Sequence, residues 1–177
     1  MVKLYGEKVI LATLEREHCK QIWEDTEYDF NNPTEPWNIG HSAEKADEWF
    51  GDIQKQQGNS NIRLGIFLPD GTVIGDIALQ DIDWRNRSCS FGYGLSKLEY
   101  RNKGYTTDAA KTLLEYGFNH LGFERISSST QENNIGSQRV LEKCGFVLEG
   151  CERKAKYFTG KRYDRLIYGL LREEFNT

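Results

Sequence analysis

The amino-acid sequence predicts an α/β (α+β) fold in which about four helices flank a mixed, mostly antiparallel sheet. Two patterns carry this prediction. Apolar residues alternate with polar or small ones along residues 62–68 and 73–79, on either side of the turn Pro69-Asp70-Gly71, and this period of two indicates an antiparallel hairpin. Residues 103–119 and 134–144 instead carry apolar stripes at helical spacing, which is typical of helices packed on a core.

The predicted elements follow in the order strand, two helices, three strands, helix, strand, helix and two strands. Strands are predicted at residues 9–14, 62–68, 73–79, 88–95, 125–130, 146–151 and 163–171, and helices at 15–26, 42–57, 103–119 and 134–144. Gly122 ends the third helix. Asn134 caps the fourth helix at its start, and Gly145 ends it. The turn Thr159-Gly160 separates the last two strands.

One face of the strand at residues 88–95 has almost no side chains. It consists of Ser88, Ser90, Gly92 and Gly94. Such a face often marks the close approach of a ligand or of another backbone. An edge strand with a small solvent-facing side fits the same pattern, so both interpretations stay open.

Composition limits the class of protein. One domain spanning residues 1–177 is expected, because this length suffices for one buried core and is too short for two ordinary ones. The sequence has no long apolar run and residues 1–8 lack the apolar stretch of a secretory signal, so we expect a cytoplasmic protein without a membrane partner. A net charge of −4 argues against nucleic acid as a partner. The four cysteines lack Cys-x-x-Cys spacing, and no metal site is predicted.

The sharpest local feature is the cationic turn that precedes the third helix. It contains Arg101, Lys103 and Gly104. Unpaired N–H groups at a helix N-terminus hold phosphate groups well, and the glycine allows close approach of the backbone. The turn has neither the Walker nor the Rossmann glycine pattern. An ordinary helix start with solvated basic residues is the alternative.

Two motifs together resemble the GNAT superfamily of N-acetyltransferases. The first is Arg101-x-x-Gly104-x-Thr106, which resembles the family's acyl-CoA pyrophosphate loop with a threonine at the usual small position. The second runs from Asn134-x-x-Ser137 to Gly145-Phe146 and resembles the family's next helix. The C-terminal part is similar to the ribosomal-protein-alanine N-acetyltransferase branch.

This resemblance implies a splayed sheet, with acetyl-CoA as co-substrate and its pantetheine arm between the strands at 88–95 and 125–130. The implied cofactor-binding residues are Leu95, Ser96, Arg101, Asn102, Lys103, Gly104, Tyr105, Thr106 and Asn134. Leu95 and Ser96 would pair with the arm through their backbones. Asn134 would bind its far end, although a plain helix cap explains this asparagine as well.

The resemblance also implies the catalytic acid. Many relatives protonate the leaving thiolate with a tyrosine where this chain has Leu141, so Ser137, one helical turn after Asn134, takes that role. The general base stays open. Ser90 and Lys156 stand where relatives carry carboxylates. The remaining candidates are Asp76, Asp81, Glu24 and Asp29, and each of them also fits a surface charge.

The acceptor is expected to be an amine. Tyr28 and Trp37 are candidate substrate-binding walls near the loop at residues 31–41. The acidic run at residues 24–29 would attract a cation, and a peptide N-terminus, a polyamine and an aminoglycoside-like amine fit it equally. A homodimer through a sheet edge is a further expectation. Two rival interpretations are a non-catalytic acyl-CoA sensor and a structural module.

Overall fold

A computed structural model describes residues 2–29 and 41–175. The described residues form eight strands and four α-helices, which confirms the predicted mixed fold. The strands are β1 (Lys3–Tyr5), β2 (Ile10–Ala12), β3 (Ile62–Phe67), β4 (Val73–Asp83), β5 (Ser88–Leu95), β6 (Arg125–Gln131), β7 (Val147–Phe158) and β8 (Lys161–Leu171). The helices are α1 (Arg16–Asp25), α2 (Glu44–Gln56), α3 (Tyr105–Glu115) and α4 (Ile135–Lys143).

All eight strands belong to one sheet in the order β1-β2-β3-β4-β5-β6-β8-β7. Neighbouring strands run antiparallel except for β5 and β6, which are parallel. Because β5 lies between β4 and β6, the edge-strand interpretation of its glycine face is wrong. The parallel pair divides the sheet at its middle.

The sheet opens where β5 and β6 part. Their pairing is limited to Ser88 with Arg125, Cys89 with Ile126, and Ser90 with Ser127. From Phe91 onward β5 stays paired with β4 alone. The Phe91 carbonyl still accepts a 2.9 Å hydrogen bond from the Ser128 hydroxyl of β6, and beyond it the backbone groups of β5 that face β6 have no ladder partner on that strand, so the two strands part into a cleft.

The main core fills the space between the sheet and the helix α3. Four residues of α3 are buried, and they are Ala109, Ala110, Leu113 and Leu114. They belong to one cluster with Ile77 and Leu79 of β4, Phe91 of β5 and Leu141 of α4. A second, smaller cluster joins α1 and α2 to the sheet through Cys19, Ile22 and Ile53. Helices therefore pack on the sheet in two separate groups.

Several elements differ from the prediction, including β4, which extends to Asp83 beyond the predicted residue 79. The short strand β1 is absent from the prediction, since three residues are too few to show a period of two. The helix α3 ends at Glu115 and continues as a π-helical turn over Tyr116–His120. The hairpin β7–β8 is longer than predicted, because its outer part is mostly exposed and lacks apolar alternation.

The turn between β1 and β2 is held by the start of α3. The Asp108 carboxylate accepts hydrogen bonds from the backbone N–H groups of Glu7, Lys8 and Val9 at 2.7–3.0 Å. A carboxylate in the first turn of a helix is also favoured by the helix dipole. The N-terminal hairpin is thus fixed beside the cationic turn. None of the described helices is long and apolar enough to cross a membrane.

Candidate active site

The cationic turn precedes α3 as expected. A short 3₁₀ turn at Leu98–Tyr100 leads into it, and Asn102 and Gly104 both have positive φ angles, 61° and 81°. Gly104 is the N-cap of α3 and has no side chain with which to cap the helix. The first N–H groups of α3, those of Tyr105 and Thr106 among them, therefore remain available for an anion.

Three cations surround this turn. The Arg101 guanidinium donates a 2.6 Å hydrogen bond to the Asp29 carboxylate. Lys103 belongs to the turn itself, and its carbonyl oxygen accepts a 3.2 Å hydrogen bond from the Lys8 ammonium. Sequence reasoning missed Lys8, because 95 residues separate the two lysines and the sequence gives no signal of their proximity. Positive charge is thus concentrated where the helix N-terminus already favours an anion.

The acidic run after α1 lies against the loop that leads to this turn. Asp25 forms an ion pair with Lys97 at 3.1 Å. Glu27 accepts a 2.6 Å hydrogen bond from the Leu98 N–H through its carboxylate and donates one to the Ser96 carbonyl through its own N–H at 2.8 Å. Together with the Asp29 contact, these bonds use three carboxylates of the run. The run therefore ties the end of α1 and the residues after it to the segment that leads into the cationic turn.

The backbone groups of Leu95 and Ser96 are engaged differently, since the Ser96 N–H and carbonyl both have partners, Ile74 and Glu27. The Ser96 N–H donates to the Ile74 carbonyl at 2.9 Å, so Ser96 and Ile74 form a hydrogen-bonded pair of the β4–β5 ladder. In an antiparallel ladder such pairs alternate with non-hydrogen-bonded ones. Leu95, opposite Gly75, therefore directs its N–H and carbonyl away from β4, toward the cleft. The Ser96 N–H, by contrast, is already used.

Asn134 caps α4 and positions Ser137. Its Oδ1 accepts a 3.1 Å hydrogen bond from the Ser137 N–H. The Ser137 Oγ lies 2.9 Å from the hydroxyl oxygen of Tyr93 on β5. Burial raises the pKa of the Tyr93 phenol to about 12, so the phenol keeps its proton at neutral pH. Tyr93 is a polar group of the cleft that was not predicted from the sequence, because its place in the alternating pattern of β5 is that of an ordinary inward-facing strand residue.

Among the candidate bases, Asp76 is not a surface charge. Its side chain is 15 % exposed and is paired with the Arg63 guanidinium, which also donates to Gln80 at 3.2 Å. Desolvation by burial is the main cause that raises the pKa of this carboxyl, and Arg63 opposes it. Asp81 accepts a 2.8 Å hydrogen bond from the Ser90 hydroxyl in an exposed position.

The glycine face of β5 lies over this polar cluster. A Cβ added at Gly92 would meet Gln80 at 3.5 Å, and one at Gly94 would meet Asp76 at 3.9 Å. Tyr28 follows α1 and is 37 % exposed. Trp37 lies outside the described residues. Within residues 2–29 and 41–175 there is no group of three or more His, Cys, Asp or Glu side chains that could hold a metal ion.

Comparison with known proteins identifies the family of the chain. A family model described as Acetyltransferase (GNAT) domain matches residues 8–147. The chain belongs to this GNAT acetyltransferase family. It is therefore an acetyl-CoA-dependent N-acetyltransferase, whose transfer goes to an amine.

Two GNAT relatives come from Bacillus subtilis (strain 168). The uncharacterized N-acetyltransferase YnaD is 40 % identical over 125 residues, which cover 70 % of this chain and 72 % of YnaD. The putative ribosomal N-acetyltransferase YdaF is 34 % identical over 125 residues, covering 70 % and 67 % of the two chains. Both relatives are described as N-acetyltransferases, in agreement with the family assignment.

Two solved GNAT structures share the fold and contain CoA. A spermidine N-acetyltransferase from Vibrio cholerae in complex with CoA and spermine has a TM-score of 0.80 at 22 % identity, with 96 % of this chain and 98 % of that chain covered. A ribosomal-protein alpha-N acetyltransferase in complex with coenzyme A has a TM-score of 0.84 at 19 % identity, with coverage of 96 % and 98 %. At these identities the likeness concerns the fold.

Proposed function

We propose that the protein transfers an acetyl group from acetyl-CoA to a primary amine by direct attack in a ternary complex at the β5–β6 cleft. The opening of the sheet after Ser90 and Ser127 is the observation that carries this proposal. It leaves a cleft in which the extended backbone of β5 forms one wall. The cationic turn lies at the end of β5, and Ser137 faces β5 from α4 through Tyr93.

The residues present fit the co-substrate. The pantetheine arm of acetyl-CoA contains amide groups, and the outward N–H and carbonyl of Leu95 offer them strand-like partners. The first N–H groups of α3, with Arg101 and Lys103, would hold the pyrophosphate. Asn134 faces the cleft side of α4, where its Oδ1 already accepts from Ser137; its side-chain amide N–H groups are the donors it would offer the arm.

Acetyl-CoA supplies an activated thioester carbonyl and a thiolate leaving group. As the amine nitrogen attacks the carbonyl carbon, the C–N bond forms, the C–S bond breaks, and the sulfur takes a proton from the Ser137 hydroxyl. The acetylated nitrogen loses its extra proton to water, and water returns a proton to the Ser137 side so that its hydroxyl is restored. Ser137 suits this step because Asn134 fixes its backbone and because a positioned acid contributes about 10²- to 10⁴-fold to such reactions.

The acceptor in this proposal is a primary amine of a peptide N-terminus or of a polyamine. Support comes from relatives: YdaF is described as a putative ribosomal N-acetyltransferase, and a spermidine N(1)-acetyltransferase of Escherichia coli is 31 % identical over 98 residues. The acidic run adds little direct attraction for a cation, since Asp25, Glu27 and Asp29 are already engaged.

Intact-mass measurement tests direct attack. The protein is incubated with acetyl-CoA alone and then with spermidine or a short peptide that has a free N-terminus. We expect no acetyl adduct on the protein and a 1:1 acetylated product after the amine is added. An acetylated protein that forms before the amine is added would overturn the ternary-complex mechanism, and blocked N-acetylated peptides serve as the control.

A further inference from the structure

A pair of hydroxyl groups bridges the two walls of the cleft. Tyr93 extends from β5 and Ser137 lies in the first turn of α4, 44 residues later. The phenol lies 2.9 Å from the Ser137 Oγ and 3.3 Å from the Ser137 carbonyl oxygen. This bridge stands beside the point where β5 leaves β6. Neither motif of the sequence includes Tyr93.

Both partners of the bridge are held in place. The Tyr93 ring packs against Phe91 at 5.4 Å between centroids, and Phe91 in turn stacks on Phe146. Asn134 fixes the backbone of Ser137 from the other side. The contact thus joins two residues that are each held in place, so the reaction can use this hydrogen bond without a large rearrangement of either one.

Each hydroxyl has a single proton, so the bridge allows two arrangements. In one, the phenol donates to the Ser137 Oγ at 2.9 Å and leaves the serine proton for another acceptor. In the other, the phenol donates to the Ser137 carbonyl at 3.3 Å and the serine proton points back at Tyr93. The 2.9 Å contact is a hydrogen bond in both arrangements, with the phenol as donor in the first and the serine as donor in the second. Only the first arrangement leaves Ser137 able to act as an acid.

We propose that Tyr93 is a positioning residue for acetyl transfer, whose phenol donates to the Ser137 Oγ and thereby turns the serine proton toward the leaving sulfur. The inference rests on the proposed function, in which Ser137 is the acid. When the C–S bond breaks and the sulfur takes the Ser137 proton, the phenol proton passes to the Ser137 Oγ. Water, which receives the proton lost by the acetylated nitrogen, restores the phenol.

The phenol is protonated at neutral pH, as a tyrosine ordinarily is, and burial raises its pKa further, to about 12. A phenol is also a stronger acid than an alkyl alcohol, so it is the natural source of the proton that replaces the one Ser137 gives up. Leu141, fully buried in the core, cannot supply such a proton. The tyrosine that many relatives carry on α4 is therefore replaced here by one on the facing strand, acting through Ser137.

The substitution Tyr93→Phe removes the hydroxyl and keeps the ring. We expect kcat to fall about tenfold, the equivalent of one lost hydrogen bond, while KM for acetyl-CoA stays within about twofold. Tyr5→Phe is the matched control, since Tyr5 is 70 % exposed on β1 at the other side of the sheet. A Tyr93→Phe protein with wild-type kcat would overturn the inference.

A double-mutant cycle with Ser137→Ala shows whether Tyr93 acts through Ser137. We expect Tyr93→Phe to cost nothing further once Ser137 is alanine, because the hydroxyl it orients is gone. Equal losses in the two backgrounds would overturn the positioning role and leave the acetyltransferase intact. A wild-type protein that transfers acetyl to none of the amines tested would overturn the proposed function, and the inference would fall with it.

Discussion

At the residue scale, the cleft depends on groups that are close in space and distant in sequence. Asn134 and Ser137 are neighbours on one helix, so helical spacing sufficed to predict that they lie together. Tyr93 and Lys8 reach the site from other elements, 44 and 95 residues from their partners. Their roles depend on sheet register and on the anchoring of the first hairpin, which residue spacing alone does not encode.

Arg101→Ala is expected to weaken acetyl-CoA binding by about 1.5–3 kcal/mol, the usual range for a hydrogen bond to a charged group. The loss has two causes. The substitution removes a cation from the proposed phosphate site, and the Asp29 carboxylate beside that site loses the guanidinium that lies 2.6 Å from it. Calorimetric titration measures the change. Arg87→Ala is the control, since Arg87 is exposed and paired with Glu124. An unchanged affinity would exclude Arg101 from the phosphate site.

Ser137→Ala is expected to lower kcat by at least about tenfold and to leave the affinity for acetyl-CoA nearly unchanged, because the hydroxyl acts on the leaving sulfur in the transition state. Steady-state kinetics with titration of the cofactor separates the two effects. Ser88→Ala at the other end of β5 serves as the control. Unaltered turnover would mean that Ser137 is not the acid.

At the element scale, the β4–β5 pair is the wall on which the cleft is built. The sequence predicted β3 and β4 as a hairpin and β5 as a third strand, but not the register of β4 with β5, and it predicted α3 and α4 from their apolar stripes and terminal residues. The alternation of residues 88–95 also indicated a strand with an almost bare face. In the structure, that face is covered by Gln80 and the Arg63–Asp76 pair. This arrangement follows from the pairing of three strands, which the sequence pattern alone does not predict.

Gly75→Ala is expected to destabilise the protein by about 3 kcal/mol or more. A Cβ at this position would overlap with the Gly94 carbonyl oxygen, which is backbone and cannot rotate away. The free energy of unfolding in urea measures the effect. Gly51→Ala within α2 is the control of opposite sign: a Cβ there meets no atom within 4 Å, and alanine favours a helix by about 0.5–1 kcal/mol over glycine. Equal stabilities for the two variants would contradict the close approach of β4 and β5.

At the scale of the whole molecule, the two parts of the sheet meet only through a short parallel contact. The resemblance to the GNAT family predicted this opening of the sheet, because nothing in composition or periodicity predicts where two parallel strands separate. For the acidic run at residues 24–29, by contrast, the charge pattern suggested one role and the structure gives the side chains other partners. Its charge suggested attraction of a cationic acceptor, yet Asp25, Glu27 and Asp29 pair with Lys97, the Leu98 N–H and Arg101 and so join this segment to the cationic turn.

Thiol reactivity tests the overall packing. Cys19, Cys89 and Cys144 are buried, and burial raises their pKa values to about 12, 12 and 11, which suppresses the reactive thiolate. Cys151 is exposed, and a hydrogen bond to Asp164 raises its pKa without shielding it from solvent. An aromatic disulfide reagent at mildly alkaline pH should titrate one thiol in the native protein and four in denaturant. Cys151→Ser should abolish the native reaction, and a second fast thiol would contradict the packing.

The most direct test of the cleft as an acetyl-CoA site is a calorimetric titration of the protein with acetyl-CoA, followed in the same sample by the loss of thioester absorbance when spermidine or a free peptide N-terminus is added. We expect saturable 1:1 binding before any amine is present and thioester loss that requires the amine. Absence of acetyl-CoA binding would contradict the account of the cleft, and thioester loss of equal rate without an amine would contradict transfer to one.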